Sequence, residues 1–253
     1  MQGFAATLTA SRRSPLQWAT HRKQLDVVRL LLKEGASDDH ISGMGWTPIF
    51  YCWPLLQSGQ PVMLDFVAVM AQDAYLDFEV ADIWDWTVLH RVAAFGTAEE
   101  VKKLISLGAS TATVAFPLRW NALHHATFYG NYPAFFSLLP FYDTSVVNLT
   151  DARGWTLLHI AASAGHDNIV RHLLNLGSDP WCLSEPFQSH MPESLYGRRC
   201  TPAEVAAAQS DERHEQYINA LTDTGLAKTR VEEIQQLGGT RRIIEETWYD
   251  AVE

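Results

Sequence analysis

The residues best suited to chemistry in this sequence are its ten histidines and three cysteines. His90, His124 and His159 recur at intervals of 34 and 35 residues. That interval places one imidazole on each of three successive units, about 10 Å apart by helix diameter, whereas tetrahedral zinc needs donors about 2 Å from the ion. The spacing therefore predicts imidazoles bonded to backbone between units, with no metal site and no cofactor. His125 adds a neighbour to His124, but adjacent helical residues do not share a face. Cys52, Cys182 and Cys200 are scattered and form no C-x-x-C pair or disulfide framework, which fits a reducing compartment. Arg198 and Arg199 beside Cys200 are the one feature that could lower a thiol pKa; the plainer reading is a buried or incidental cysteine. The sequence contains no G-x-x-x-x-G-K-[ST], no G-x-S-x-G and no H-E-x-x-H; His214-Glu215 begins the last, but Ile218 stands where its second histidine belongs. No catalytic residue is assigned, and the chain reads as a non-enzyme. An enzymatic function, here or in a further N-terminal domain, is the competing class.

Composition narrows the field further. With 253 residues, 47% of them apolar and 19% charged, the chain can bury a sizeable core and is not intrinsically disordered. Lys+Arg 19 against Asp+Glu 29 gives a net charge of −10, which disfavours nucleic acid as a partner. Only Arg12 to Lys33 is locally basic, as a solvated helix face would be. The stretches 41–64 and 120–142 lack charge, but Pro48, Pro54 and Pro61 interrupt the first, and His124, His125, Asn131 and Pro133 the second. Neither suits a lipid-spanning helix. Residues 1–15 carry no secretory signal. The expectation is a soluble intracellular protein, cytoplasmic or nuclear and monomeric, with no membrane partner.

A repeat organises the chain. Gly154-Trp155-Thr156-Leu157-Leu158-His159 aligns with Asp85-Trp86-Thr87-Val88-Leu89-His90, and Trp120-Asn121 and Gly45-Trp46-Thr47-Pro48 share the register. Ser14, Thr47, Thr87, Asn121, Thr156 and Thr201 anchor six units at spacings of 33, 40, 34, 35 and 45. Each anchor oxygen can satisfy an orphan N–H at a helix start. Proline follows at 15, 48 and 202, where its missing N–H is harmless. Gly96, Gly130 and Gly165 stand nine residues past an anchor, and Gly35, Gly108 and Gly177 twenty-one past, as left-handed helix stops. Each unit is thus two short helices. The second presents an apolar face (Val27, Val28, Leu30 and Leu31; Val101, Leu104 and Ile105; Ile169, Val170, Leu173 and Leu174), so units must stack to bury it.

Thr156-Leu157-Leu158-His159-Ile160-Ala161-Ala162, with Gly165-His166, Ile169-Val170, Leu173-Leu174 and Gly177-Ser178-Asp179, closely resembles an ankyrin repeat. Ser14 to Ser37 and Thr87 to Ser110 resemble it nearly as well. The resemblance covers roughly residues 14–223 and implies an all-α ankyrin-repeat solenoid of about six helix-turn-helix repeats, starting near 14, 47, 87, 121, 156 and 201. Similar repeat sets are frequent in fungal proteins, where they often follow another domain. Repeat two lacks both glycines and the histidine and carries Pro54; repeat four has Asn121 for Thr; repeat six lacks the histidine. Irregular stacking is expected at repeats two and four. The resemblance also implies hairpin-like fingers at about 38–46, 75–86, 110–120, 143–155 and 178–200. Residues 1–13 are either a cap, using Ala5, Ala6 and Leu8, or the end of a longer chain. Residues 224–253 read as a helical tail, either docked on the last repeat or free to bind a partner.

The residue before the cap is tryptophan in four successive repeats: Trp46, Trp86, Trp120 and Trp155. By the resemblance, this position faces a concave recognition groove. Trp84 shares a finger with Trp86, and Phe95, Phe128 and Tyr129 end the first helices that flank the groove. These eight residues are the candidate site for a protein or peptide partner, since such rings dominate binding hot spots. The alternative is that the indoles seal one finger onto the next. Asp73, Asp77, Glu79, Asp82 and Asp85 load the finger beside Trp84 and Trp86; they are either simply solvated or suited to a basic, aromatic or proline-bearing peptide. The function read from the sequence is a non-catalytic interaction module or scaffold. The runner-up is a regulatory or substrate-recruiting domain of a larger enzyme or signalling protein.

Overall fold

A computed structural model describes residues 13–37, 40–52, 64–73 and 77–225. Among the described residues there are eleven α-helices: α1 (Pro15–His21), α2 (Leu25–Lys33), α3 (Leu64–Asp73), α4 (Val88–Phe95), α5 (Ala98–Ser106), α6 (Ala122–Phe128), α7 (Tyr132–Leu138), α8 (Leu157–Ala164), α9 (Asp167–Asn175), α10 (Pro202–Ala207) and α11 (Asp211–Asp223). The only strand-like pairs among them are isolated bridges, Ala115 with Trp120 and Thr150 with Thr156. The all-α class expected from the sequence is the one found. Pro54, nearly all of the expected N-terminal cap, and the tail beyond Gly225 lie outside the described residues.

Cap chemistry explains where the helices begin. The Ser14 N–H donates to Gln17 Oε1 at 2.9 Å, and the Gln17 N–H returns a bond to Ser14 Oγ at 3.2 Å. Thr201 and Glu204 repeat the reciprocal pair at 2.7 and 3.3 Å. Each such box satisfies two donors that helix geometry leaves orphaned. At Thr47 the pattern fails locally: Pro48–Cys52 forms one tight 3-10 turn in place of a first α-helix.

The chain divides into two compact units. Among the described residues, one takes those up to Ala126 and adds Pro133–Phe141; the other takes Thr127–Tyr132 and those from Tyr142 to Gly225. In the first unit, α1 packs on α2 and on the 3-10 turn, α2 on α3, and α4 on α5. Leu16, Val28, Met70, Leu89, Val101 and Leu104 are among its buried side chains. Of the face assigned to α2, only Val28 is buried. Val27 and Leu30 are exposed, because the inward stripe runs from Val28 to Leu32, one turn apart. In the second unit, α8 packs on α9 and α10, and α11 packs on α9 and α10. Leu157, Ile160, Ile169, Leu173, Val205 and Tyr217 are buried there.

Gly165 and Gly130 stop their helices with φ of 77° and 68°, as the spacing predicts. Gly96 does not: it ends α4 at φ −88° and ψ −174°. Its glycine is required by proximity instead, since a Cβ there would lie 2.6 Å from Val92 Cγ1 and 2.8 Å from the Val92 carbonyl.

Candidate functional site

The fingers are built from one recurring turn. Ser42, Asp82 and Asp151 each stand five residues before a cap, and their N–H groups donate to the carbonyls of Trp46, Trp86 and Trp155 at 3.0, 2.9 and 3.0 Å. Their side chains close the turn from within. Asp82 Oδ1 accepts from the N–H groups of Trp84 and Trp86 at 2.9 and 3.0 Å, and Asp151 Oδ1 from those of Arg153 and Trp155 at 2.8 and 3.1 Å. The residue two before the cap is left-handed in four of the fingers: Gly45, Asp85, Arg119 and Gly154, with φ of 75°, 64°, 57° and 69°. Short polar Asp tolerates this region, and glycine enters it freely. The finger ending at Trp120 is one residue longer, closing from the Ala115 N–H to the Trp120 carbonyl at 2.8 Å. Within the first unit neighbouring fingers are joined: the Ile83 N–H donates to the Met44 carbonyl at 3.2 Å, and the Phe116 N–H to Asp85 Oδ2 at 2.8 Å.

The four pre-cap tryptophans separate into two kinds. Trp46 is 6% exposed and Trp155 2%. Trp46 Nε1 donates to Asp82 Oδ2 at 3.3 Å, and the Arg91 guanidinium lies over its ring at 4.3 Å. Arg91 also bonds Asp82 Oδ2 at 3.1 Å. Trp155 repeats the arrangement, with Arg153 stacked on the ring at 3.7 Å and paired to Asp151 through Nε and Nη2 at 2.9 and 2.6 Å. In these two repeats the buried indole closes the finger base around a buried ion pair.

Trp86 and Trp120 are half-buried, Phe95 is half-buried, and Trp84 is 46% exposed. Trp86 stacks beside Phe95 with ring centroids 6.3 Å apart and meets His125 edge-on at 4.3 Å. Trp120 meets the same imidazole at 5.5 Å and stacks on His124 at 6.5 Å. His125 is buried, and burial, reinforced by His90 and His124, holds it well below its usual pKa, so it is neutral at physiological pH. Phe128 and Tyr129 are exposed in the second unit, edge-on to each other at 5.2 Å, with the Phe128 carbonyl accepting from His166 Nε2 at 2.9 Å.

The spaced histidines act at the caps. His90 Nδ1 accepts from the Thr87 N–H at 3.0 Å, and its Nε2 donates to the Thr113 carbonyl at 3.1 Å. His159 does the same between Thr156 (3.2 Å) and the Cys200 carbonyl (2.9 Å), and His124 Nδ1 accepts from the Asn121 N–H at 3.3 Å. Each is the third helical residue of a capping box, so the interval found in the sequence is the interval of the caps. Burial lowers His90, and lowers His159 to about 4. Among the described residues no three His, Cys, Asp or Glu side chains gather as ligands for a metal ion. Burial raises the Cys200 thiol despite the lowering by Arg198, contrary to the activation its basic neighbours suggested, and it raises Cys182 and Cys52 as well. No helix of the described residues is long and apolar enough to cross a membrane.

Sequence reasoning missed Arg91, Arg153 and Asp151, and it read Asp82 as a solvated or ligand-facing charge where it is a buried partner of Arg91. The signal was present as Asp five residues before Thr87 and Thr156, but the two arginines occupy different places, Arg91 on α4 and Arg153 inside the finger.

Family models for ankyrin repeats match residues 89–184 and 123–230 as a three-copy model, and residues 11–42 as a single repeat. Protein phosphatase 1 regulatory subunit 27 of Homo sapiens is 36% identical over 84 residues, which is 33% of this chain and 53% of that protein. Transient receptor potential cation channel subfamily A member 1 of Homo sapiens is 29% identical over 167 residues, 66% of this chain and 15% of the channel. The chain thus spans about half the length of the first relative and a small part of the second. Among solved structures, the ankyrin repeat domain of Bcl-3 is similar with a TM-score of 0.62 and 24% identity, over 84% of this chain and 85% of that one. A chain from the complex of a predatory endopeptidase of Bdellovibrio bacteriovorus with an immunity protein is similar with a TM-score of 0.60 and 15% identity, over 84% and 99%. At these identities the two structural likenesses concern the fold alone.

Proposed function

The chain belongs to the ankyrin-repeat family, and we propose that it recognises a protein or peptide, without catalysis, through the aromatic surface of its first unit: Trp84, Trp86, Phe95 and Trp120. Ankyrin repeats are a protein-interaction architecture, and the finer reading rests on which indoles solvent can reach. The observation that carries it is the contrast at one register position, where Trp46 and Trp155 are buried while Trp86 and Trp120 are only half-buried, with Trp84 exposed on the Trp86 finger. A Trp side chain buries about 150–250 Å² on full contact, and such rings are the usual anchors of interfaces. Fingers already fixed by Asp82 and Asp85 lose little conformational freedom on binding. Phe128 and Tyr129 offer a second exposed aromatic pair on the other unit.

The test is capture of partners from native cell extract by the wild-type chain and by the Trp86→Ala/Trp120→Ala variant. The variant is expected to lose capture while its thermal transition moves by only a few degrees. Retained capture, or a collapse of stability, would contradict the reading.

A second reading follows from the 36% identity over 84 residues to a protein named as a phosphatase regulatory subunit. The chain then regulates or recruits substrates for an enzyme partner. Co-purification of this chain with protein phosphatase 1, and a change in phosphatase activity when it is added, would support that reading; absence of both would remove it.

A further inference from the structure

We propose that the aromatic surface of the first unit takes an arginine side chain of the partner, stacked against Trp86 and Trp120; this rests on the reading of that surface as a recognition site. The chain itself shows what the pre-cap indole accommodates. Arg91 covers Trp46 at 4.3 Å and Arg153 covers Trp155 at 3.7 Å, each held at the same time by a finger carboxylate, Asp82 or Asp151. A guanidinium is planar and weakly hydrated, so it can stack on a ring and pair with a carboxylate together, which an ammonium does less well.

Trp86 and Trp120 occupy the same register position and are only half-buried. His125, 4.3 and 5.5 Å from them, supplies the common floor. Held neutral by burial, it adds no positive charge to repel an arriving cation. Asp85 precedes Trp86, and Asp77 and Glu79 lie on the same finger; Arg119, before Trp120, is the opposing charge. Three carboxylates against one cation, on a chain of net charge −10, favour a basic ligand. Asp85 already accepts from the Phe116 N–H through Oδ2, which ties its carboxylate to the finger that ends at Trp120.

The test uses a random dodecapeptide library displayed on phage, panned on the full chain and counter-selected on the Trp86→Ala/Trp120→Ala variant. The expected winners carry arginine, and replacing that arginine by neutral, near-isosteric citrulline weakens binding roughly tenfold or more. Asp85→Asn keeps the bond from Phe116 and tolerates the left-handed backbone, and is expected to weaken the arginine peptide several-fold while leaving its citrulline form unchanged. Trp86→Phe and Trp120→Phe keep a ring and the packing around it, and are expected to weaken the arginine peptide through the poorer cation stack. Tryptophan-dependent peptides without arginine, or equal binding of the citrulline form, would overturn this inference and leave the recognition surface standing. Peptides indifferent to both tryptophans would remove the surface as well.

Discussion

Arg91 and Asp82 meet 3.1 Å apart with side chains 1% and 0% exposed, and the guanidinium lies over the face of Trp46. One carboxylate thereby serves three partners: through Oδ1 it closes its own finger turn, and through Oδ2 it holds an arginine on α4 and the indole of the preceding finger. A buried charge pair of this kind is stable only while all its members are present.

Asp82→Ala is therefore expected to cost about 3–5 kcal/mol, because it leaves a buried guanidinium without its counter-charge. Adding Arg91→Met should recover part of the loss. Urea unfolding of the single and double variants measures both, and a cost below about 1 kcal/mol for Asp82→Ala would contradict the structure.

A buried and an exposed tryptophan should differ in the same experiment. Trp155→Ala, which opens a cavity over Arg153, is expected to destabilise by about 3–5 kcal/mol. Trp84→Ala should stay within about 0.5 kcal/mol, as exposed substitutions usually do.

Acid should unfold the chain partly through its cap histidines. His159 is lowered to about 4 by burial, against its ordinary value of 6.5. Between these values the unfolded chain binds a proton that the native state refuses, so this contribution is complete above about pH 6.5 and is lost as pH falls through about 4. The gap corresponds to a loss on the order of 3 kcal/mol. Burial of His90 and His125 acts in the same direction. His159→Gln should flatten the His159 share without losing the cap, because Gln17 makes the same two bonds in α1, from the Ser14 N–H at 2.9 Å and to the Trp46 carbonyl at 2.8 Å. Chemical denaturation at a series of pH values compares the two slopes.

Gly96→Ala should destabilise by about 1–3 kcal/mol through the clash with Val92 alone, since the extended backbone there adds no left-handed strain. Gly108→Ala has open space around its Cβ, at φ 106°, and should cost only the strain of that conformation.

The caps were legible in the sequence because their chemistry is local. Ser14 with Gln17, or Thr201 with Glu204, interacts across three residues, and their types alone specify the bonds. The fate of each indole was not legible, because it depends on distant partners: Trp46 is sealed by Asp82, thirty-six residues on, and by Arg91. Gly96 misled for a related reason. Its place past the anchor matched a left-handed stop, whereas the constraint comes from Val92 and Glu100 crowding the turn between α4 and α5. The exposed side of α2 shows the limit of pattern reading at single residues, since Val27 and Val28 are adjacent in sequence and point to different surroundings.

Hydroxyl-radical footprinting of the four pre-cap tryptophans, with and without a bound partner, tests the central claim most directly. Trp86 and Trp120 should be oxidised in the free chain and protected in the complex, while Trp46 and Trp155 stay unoxidised in both. Unchanged oxidation of Trp86 and Trp120 on binding, or equal oxidation of all four indoles in the free chain, would contradict the account.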